Sequence, residues 1–166
     1  MITDTQSSFT VRAAVAADIP VLARHRVTMF RDMAKLAPVL ADPLERATVT
    51  FMNDALPRGA YLAWVAEGAA NAIVGGAGVQ LRPILPRPRD GVVDLELGPE
   101  AIVLNVYVDP DWRRRGVGEA LMRTLLDELA QRKIRRIVLH AADAGRRLYE
   151  RLGFVPTNEM RLSSRA

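Results

Sequence analysis

The stretch Arg113-Arg114-Arg115-Gly116-Val117-Gly118 decides the fold, because it separates an apolar run at 102–108 from a helical pattern that starts at Val117. The apolar run predicts a buried strand, and the spacing after Val117 predicts a helix. N–H groups at a helix start lack intrahelical partners, and the helix dipole favours negative charge there. The two glycines let a phosphate approach the backbone. The stretch therefore predicts binding of a phosphorylated ligand.

Three phosphate-binding patterns compete for this turn. A P-loop requires a Gly-Lys pair, and the sequence has none. A dinucleotide-binding turn requires a third glycine where the sequence has Leu121. The pattern Arg/Gln-x-x-Gly-x-Gly/Ala is matched in full by Arg113, Gly116 and Gly118.

Composition favours one soluble domain. The chain has 166 residues, of which 49% are hydrophobic and 25% charged, which predicts a single domain over 9–166 after a flexible tail at 1–8. No apolar run is long enough to span a bilayer, and the polar N-terminus does not resemble a secretory signal. The absence of cysteine excludes disulfides and thiolate metal sites. We therefore expect a cytoplasmic protein without membrane association.

The charge of the chain is carried mainly by arginine. Its 23 basic residues include only two lysines, and the net charge is +4. Arginine suits phosphates and carboxylates, although coding bias in a GC-rich genome would give the same excess. Aromatic residues make up 5% of the chain and do not alternate with arginine, so we expect no nucleic-acid partner.

The order of predicted elements indicates a mixed α/β (α+β) sheet with helices on both faces. The glycine-rich sequence Gly75-Gly76-Ala77-Gly78 inside a strand indicates a bulge or a close backbone approach. The predicted elements are a strand at 9–12, helices at about 19–35 and 42–56, strands at 61–67 and 72–81, a loop at 82–91, a short strand or loop edge at 92–97, a strand at 102–108, a helix from 117 to about 133, a strand at 134–140, a helix at about 143–152 and an extended segment over 153–162.

Two motifs resemble the GCN5-related N-acetyltransferase (GNAT) family. The turn and its lead-in Val108-Asp109-Pro110-Asp111-Trp112 resemble the coenzyme A-binding core, and Leu148-Tyr149-Glu150-Arg151-Leu152-Gly153-Phe154 resembles the family's Leu-Tyr-x-x-x-Gly-Phe. The resemblance covers about residues 101–155. Residues 104–108 and 158–162 also resemble an uncharacterised bacterial branch of the family. The resemblance implies a GNAT-like, mostly antiparallel central sheet that is splayed at its middle and flanked by about four helices.

The resemblance also implies a site for acetyl-CoA as co-substrate, and no metal. The pantetheine arm would pair with strand 102–108, and the pyrophosphate would lie on N–H groups of the turn and helix start, with arginine side chains adding charge. The expected cofactor-binding residues are Val106, Tyr107, Val108, Arg113, Arg114, Arg115, Gly116, Val117, Gly118 and Glu119.

The catalytic roles are implied by the same resemblance. Tyr149 would give a proton to the departing thiolate. The relatives' strand carboxylate is replaced here by apolar residues, so Glu100 is the tentative base, with Glu96, Asp94, a water molecule or an amine that arrives neutral as alternatives. Ala142 stands where the family often has an asparagine. His25 and His140 have structural roles by default, whereas Asn105 could orient substrate or satisfy backbone groups near a bulge.

The resemblance implies an acyltransferase that moves an acetyl group from acetyl-CoA to a primary amine of a small molecule or peptide, by direct transfer in a ternary complex. The alternative is a non-catalytic acyl-CoA-binding or sensor module with the same fold. The acceptor pocket would lie between the helices at 19–56, the loop at 82–91 and the C-terminal segment. Arg82, Arg87 and Arg89 could steer an acidic acceptor or be solvated. A homodimer is left open.

Overall fold

The computed structural model describes residues 8–89, 91 and 93–162 and is organised around a five-stranded sheet. The strands are β1 (Thr10–Ala13), β2 (Tyr61–Glu67), β3 (Ile73–Pro83), β4 (Arg87–Pro88), β5 (Leu95–Glu96), β6 (Pro99–Val108) and β7 (Ile137–Leu139). The sheet order is β1-β2-β3-β6-β7, with β6 and β7 parallel and the other neighbours antiparallel. β4 and β5 form a separate antiparallel pair.

Helices cover both faces of the sheet. They are α1 (Ile19–Asp32), α2 (Ala41–Ala55), α3 (Val117–Gln131) and α4 (Asp143–Arg151). Successive side chains of a strand point to opposite faces, and β2 shows the result. Tyr61, Ala63 and Val65 pack with α1 and α2, whereas Trp64 and Ala66 pack with α3.

The sheet is splayed between β6 and β7. The two strands pair only through residues 101–103 and 137–139. Residues 104–108 of β6 remain paired with β3 on the other edge, through Gly75, Gly76 and Gly78. Within the described ranges, no strand pairs with residues 104–108 on the side of β7. The predicted splayed, mostly antiparallel sheet with about four helices is confirmed.

Several element boundaries differ from those predicted. The strand expected at 134–140 is shorter, because Lys133 has a φ of +59° and the Ile134 N–H donates to the Leu129 carbonyl, so these residues close α3. The loop expected at 82–91 contains the end of β3 and all of β4. The extended segment expected over 153–162 contains no strand. The predicted tail at 1–8 lies outside the described residues except for Ser8, which is exposed.

None of the described helices is both long and apolar enough to cross a membrane.

Candidate functional site

A β-bulge interrupts β6 where the strand leaves β7. Gly78 pairs with Leu104 and Gly76 pairs with Tyr107, so β6 has one more residue than β3 in this interval. The extra residue is accommodated at Asn105, whose φ is +58°. Asparagine adopts this left-handed conformation more readily than most residues. The bulge therefore redirects the segment 105–108, at the edge that β7 leaves open.

The side chain of Asn105 fixes the bulge to α1. Its Nδ2 donates to the Leu22 carbonyl at 3.1 Å, and the residue is buried. Its Oδ1 accepts no hydrogen bond within the described part of the chain. The bulge that the glycine-rich sequence of β3 indicated is confirmed, and it lies in the part of β6 opposite these glycines.

The turn after β6 presents backbone N–H groups to solvent. Gly116 has a φ of +83° and directly precedes α3, and none of the described side chains caps the start of this helix. A Cβ added at Gly116 would meet no atom within 4 Å, so the space beside its backbone is open. The first N–H groups of a helix have no intrahelical acceptor, and the dipole is positive there. The turn is thus suited to bind an anion.

The side chain of Arg113 turns away from this anion site. Its Nε donates to the Val108 carbonyl at 2.9 Å, and its other guanidinium nitrogen lies 2.6 Å from Asp32 Oδ2 of α1. The guanidinium also lies 5.7 Å from the Tyr107 ring centre. Asp32 raises the pKa of Arg113 by accepting this hydrogen bond. Arg113 therefore joins the end of β6 to α1.

The other two arginines of the turn are exposed. Arg115 places its guanidinium 5.8 Å from the ring centre of Trp112. Arg114 has a φ of +62°, which helps to form the tight turn. Their exposure keeps both side chains in reach of a ligand at the turn.

Helix α4 lies against the end of β6 and the first turn of α3. A Cβ added at Gly118 would lie 3.6 Å from Leu148 Cδ2 and 3.7 Å from Val108 Cγ2, so three elements meet at this glycine. An ion pair of 3.6 Å between Arg151 and Glu119 also joins the two helices. These contacts place Tyr149, the neighbour of Leu148, on the same side of the molecule as the turn.

The ring of Tyr149 is held between a glycine and an aromatic residue. It meets Phe154 edge to face, with ring centres 6.1 Å apart. A Cβ added at Gly145 would lie 2.7 Å from Tyr149 Cε2, so only glycine leaves room for the ring. Burial raises the pKa of the Tyr149 phenol above its ordinary value. The hydroxyl is therefore protonated at neutral pH and can donate a proton.

Glu100 lies at the opposite end of β6 from the turn. Its side chain is 1% exposed, and its two carboxylate oxygens accept hydrogen bonds from Arg82 Nε, at 2.5 Å, and from Arg136 Nε. Glu100 and Arg82 face each other across β3 and β6. Asn105 lies five positions after Glu100, about 16 Å along an extended strand. Glu100 therefore lies at the far end of β6 from the turn, whereas α4, which carries Tyr149, packs against the first turn of α3.

The other two candidate bases also pair with arginines. Asp94 lies 3.1 Å from Arg89, and Glu96 lies 3.4 Å from Arg87. Of the predicted steering arginines, Arg82 pairs with Glu100. Each of these loop arginines therefore has a carboxylate partner of its own chain.

His25 is buried beside the bulged strand, where a structural role was expected by default. Its ring stacks at 4.7 Å on that of Tyr107, and its Nε2 lies 3.9 Å from Asp109 Oδ1. Burial lowers the pKa of His25, so its imidazole is neutral at pH 7. His140 lies at the exposed end of β7, where its Nε2 is 2.7 Å from Glu159 Oε1.

A cavity of about 270 Å³ opens beside the bulge, between α1, α2 and the sheet. Leu104 of β6, Tyr61 of β2 and Gln80 of β3 line its floor, and Arg26 of α1 lines its wall. The sequence predicted an acceptor pocket near the first two helices but did not single out Arg26 or Tyr61. Gly78 is the sequence feature that relates to the position of Tyr61, because a Cβ at Gly78 would lie 1.8 Å from the Tyr61 hydroxyl.

Comparisons with known proteins agree with this geometry. A model of the acetyltransferase (GNAT) domain matches residues 59–156. The crystal structure of a GCN5-related N-acetyltransferase from Ralstonia eutropha JMP134 is similar, with a TM-score of 0.82, 32% identity and coverage of 95% of this chain and 99% of that chain.

Two further relatives show how far the similarity extends. A predicted acetyltransferase from Clostridium acetobutylicum, solved with acetyl-CoA, has the same fold, with a TM-score of 0.80, 24% identity and coverage of 95% of this chain and 96% of that chain. The [ribosomal protein bS18]-alanine N-acetyltransferase of Escherichia coli K12 is 45% identical over 58 residues. That match spans 33% of this chain and 39% of the relative.

Proposed function

Because the chain belongs to the acetyltransferase (GNAT) family, we propose that it moves the acetyl group of acetyl-CoA to a primary amine by direct transfer in a ternary complex. The observation that carries this proposal is the continuity of the open edge of β6 with the uncapped start of α3. The extended pantetheine arm would lie along the open edge of β6, and the pyrophosphate at its end would lie at the start of α3. The cavity beside the bulge would receive the amine.

The donor site would use backbone groups first. Residues Val106, Tyr107 and Val108 would pair with the pantetheine arm in the place that β7 leaves open. The N–H groups from Arg114 to Glu119 would hold the pyrophosphate. The hydrogen bond that the Val108 carbonyl accepts from Arg113 leaves it one more lone pair for a ligand amide.

The transfer would need two groups from the protein and a base. The N–H of Val106 would stabilise the negative charge that forms on the thioester oxygen. The amine nitrogen forms a bond to the carbonyl carbon, the carbon–sulfur bond breaks, and Tyr149 gives a proton to the leaving thiolate. The amine loses one proton to a base. We assign this step to a water molecule, with Glu100 as the alternative, because both Glu100 oxygens are held by arginines.

The acceptor is proposed as a primary amine of a small molecule or a peptide. The relative in E. coli acts on an alanine of ribosomal protein bS18, so an alanine-initiated peptide belongs among the acceptors to be tested. We place the reaction in the cytoplasm. A homodimer remains a proposal that sedimentation would test.

Thiol release from acetyl-CoA over a panel of amines tests the proposal. We expect release that depends on both acetyl-CoA and an amine, with an N-acetyl product of the expected mass. Tight binding of acetyl-CoA without turnover of any amine would instead indicate a non-catalytic sensor. Absence of acetyl-CoA binding in calorimetry would contradict both functions.

A further inference from the structure

One half-buried arginine in the cavity beside the bulge has no carboxylate partner. Arg26 lines the cavity, and in the described ranges no acidic side chain forms an ion pair with it. Its guanidinium carbon lies 5.0 Å from the centre of the Phe30 ring. The other half-buried arginines of these ranges each pair with an acid: Arg12 with Asp18, Arg87 with Glu96, Arg89 with Asp94 and Arg136 with Glu100.

Burying a cation without a partner costs free energy. Burial lowers the pKa of Arg26, and the largest cause is desolvation. A guanidinium nevertheless stays charged in proteins, so it retains unsatisfied donors. An unpaired, partly desolvated cation that faces a cavity is suited to receive an anion from outside the chain.

A second polar group at this cavity also lacks a partner. The Tyr61 hydroxyl is buried and makes no hydrogen bond within the described part of the protein. Burial raises its pKa, so it is a neutral donor. Thr48, by contrast, donates its hydroxyl to the Leu44 carbonyl at 2.7 Å and is satisfied within α2. Arg26 therefore offers donors to the cavity, whereas the rest of the wall is mostly apolar.

The other residues that line the cavity indicate that the rest of the ligand is apolar. Leu44, Phe51 and Met52 of α2 present carbon surface, and Leu104 of β6 connects the cavity to the bulge. A ligand anchored at Arg26 could thus extend along apolar surface toward the segment 105–108, where the thioester would lie. A cavity of about 270 Å³ fits a small molecule rather than a folded protein.

We propose that Arg26 binds the carboxylate of the amine acceptor, so that the substrate class is primary amines that carry a carboxylate on an apolar body. This inference rests on the proposed function, since it concerns the acceptor of that reaction. The loop arginines that could steer an acidic acceptor already pair with carboxylates of this chain. We therefore assign recognition of the acceptor's carboxylate to α1.

Matched amines test the substrate class. The pairs are 4-(aminomethyl)benzoate with 4-(aminomethyl)benzamide and 5-aminopentanoate with 5-aminopentanamide, which differ at the carboxylate and keep the amine distant from it. We expect at least one carboxylate to have a kcat/KM about 10- to 100-fold above that of its amide, the range of a lost charge-assisted hydrogen bond. Equal kcat/KM values for both pairs would overturn the proposal.

Two variants assign the preference to Arg26. Arg26→Met keeps an unbranched apolar stem and removes an unpaired charge, so we expect it to fold and to lose the preference through a higher KM. Arg24→Met makes the same change at an exposed position of α1 and should keep the preference. A preference that persists in Arg26→Met would exclude this residue as the carboxylate site.

A binding assay separates this inference from the proposed function. The non-reactive pair 4-methylbenzoate and 4-methylbenzamide is titrated into the protein saturated with coenzyme A. Preferential binding of the benzoate that disappears in Arg26→Met supports the anion site even if no amine is acetylated. Absence of such a preference overturns the site even if amines are acetylated.

Discussion

Asp32 of α1 accepts a hydrogen bond of 2.6 Å from the guanidinium of Arg113, and this contact turns the arginine of the coenzyme A motif toward the protein. The two residues are 81 positions apart, so the pair joins the N-terminal helix to the donor turn. Both side chains are nearly half exposed, at 46% and 44%, which limits the energy of the pair.

We expect Arg113→Ala to raise the Kd for acetyl-CoA only about two-fold, because the exposed pair contributes ~0.5 kcal/mol. Asp32→Asn should have a similar effect, and the double variant should be no worse than either single one. Calorimetric titration of all three variants measures this coupling. A loss of ten-fold or more in Arg113→Ala alone would mean that Arg113 contacts the pyrophosphate.

Tyr149→Phe should lower kcat about 100-fold or more, because the thiolate would leave without its proton donor. Affinity for acetyl-CoA and thermal stability should change little, and both serve as controls. The wild-type kcat should fall only above the ordinary tyrosine pKa of about 10, since burial raises the pKa of Tyr149. The variant should lack this alkaline decline. Full turnover by Tyr149→Phe would remove the role.

Tyr61→Phe should raise the free energy of unfolding by about 1 kcal/mol, because it removes a buried hydroxyl without a partner. The raised pKa of Tyr61 also fixes a pH dependence. Below about pH 10 the Tyr61 phenol is neutral in both the folded and the unfolded protein. Above about pH 10 the phenol ionises first in the unfolded protein, so the free energy of unfolding of the wild type falls. The variant should lose less stability between pH 9 and about 11 in denaturant titrations. Parallel curves for both proteins would contradict the assignment.

Gly78→Ala should destabilise the protein by about 2–3 kcal/mol, because the new methyl group would overlap the Tyr61 hydroxyl, 1.8 Å away. Tyr61 is buried and cannot move aside cheaply. Tyr61→Leu in the same chain should recover part of the loss. Gly118→Ala is a useful contrast for stability, since a Cβ there would make ordinary contacts, at 3.6 Å with Leu148 Cδ2 and 3.7 Å with Val108 Cγ2. Equal stability of Gly78→Ala and wild type would show that the ring can be displaced.

Glu100→Gln should lower stability by about 2 kcal/mol, because it removes the carboxylate from a buried position between two arginines. If water accepts the amine proton, kcat should fall less than about five-fold, whereas loss of a general base costs about 100-fold. Arg136→Met serves as the comparison, because it breaks the same cluster and keeps the carboxylate. A large loss of kcat in Glu100→Gln but not in Arg136→Met would assign the base to Glu100.

The features predicted from sequence depend on neighbouring residues. Gly116 and the apolar spacing after Val117 determine the turn and α3 locally, and the motifs around them predicted the family and fold that the comparisons confirm. The glycines of β3 indicated the bulge through strand pairing, since they lie opposite it in β6.

The features that sequence reasoning missed depend on distant contacts. The direction of the Arg113 side chain is decided by Asp32, and the burial of Glu100 by Arg82 and Arg136. Among the described residues no acidic side chain lies close enough to Arg26 to form an ion pair, and no local sequence pattern predicts this. Tertiary packing therefore decides which of 21 arginines are available to a ligand.

The bulge at Asn105 also bears on the solubility of the protein. A flat strand with one unpaired edge is a template for association with other chains. β6 has such an edge at residues 104–108, but the left-handed residue at 105 and the shifted register twist it away from the geometry that a second strand needs. The irregularity that leaves room for a ligand would thus also discourage edge-to-edge aggregation.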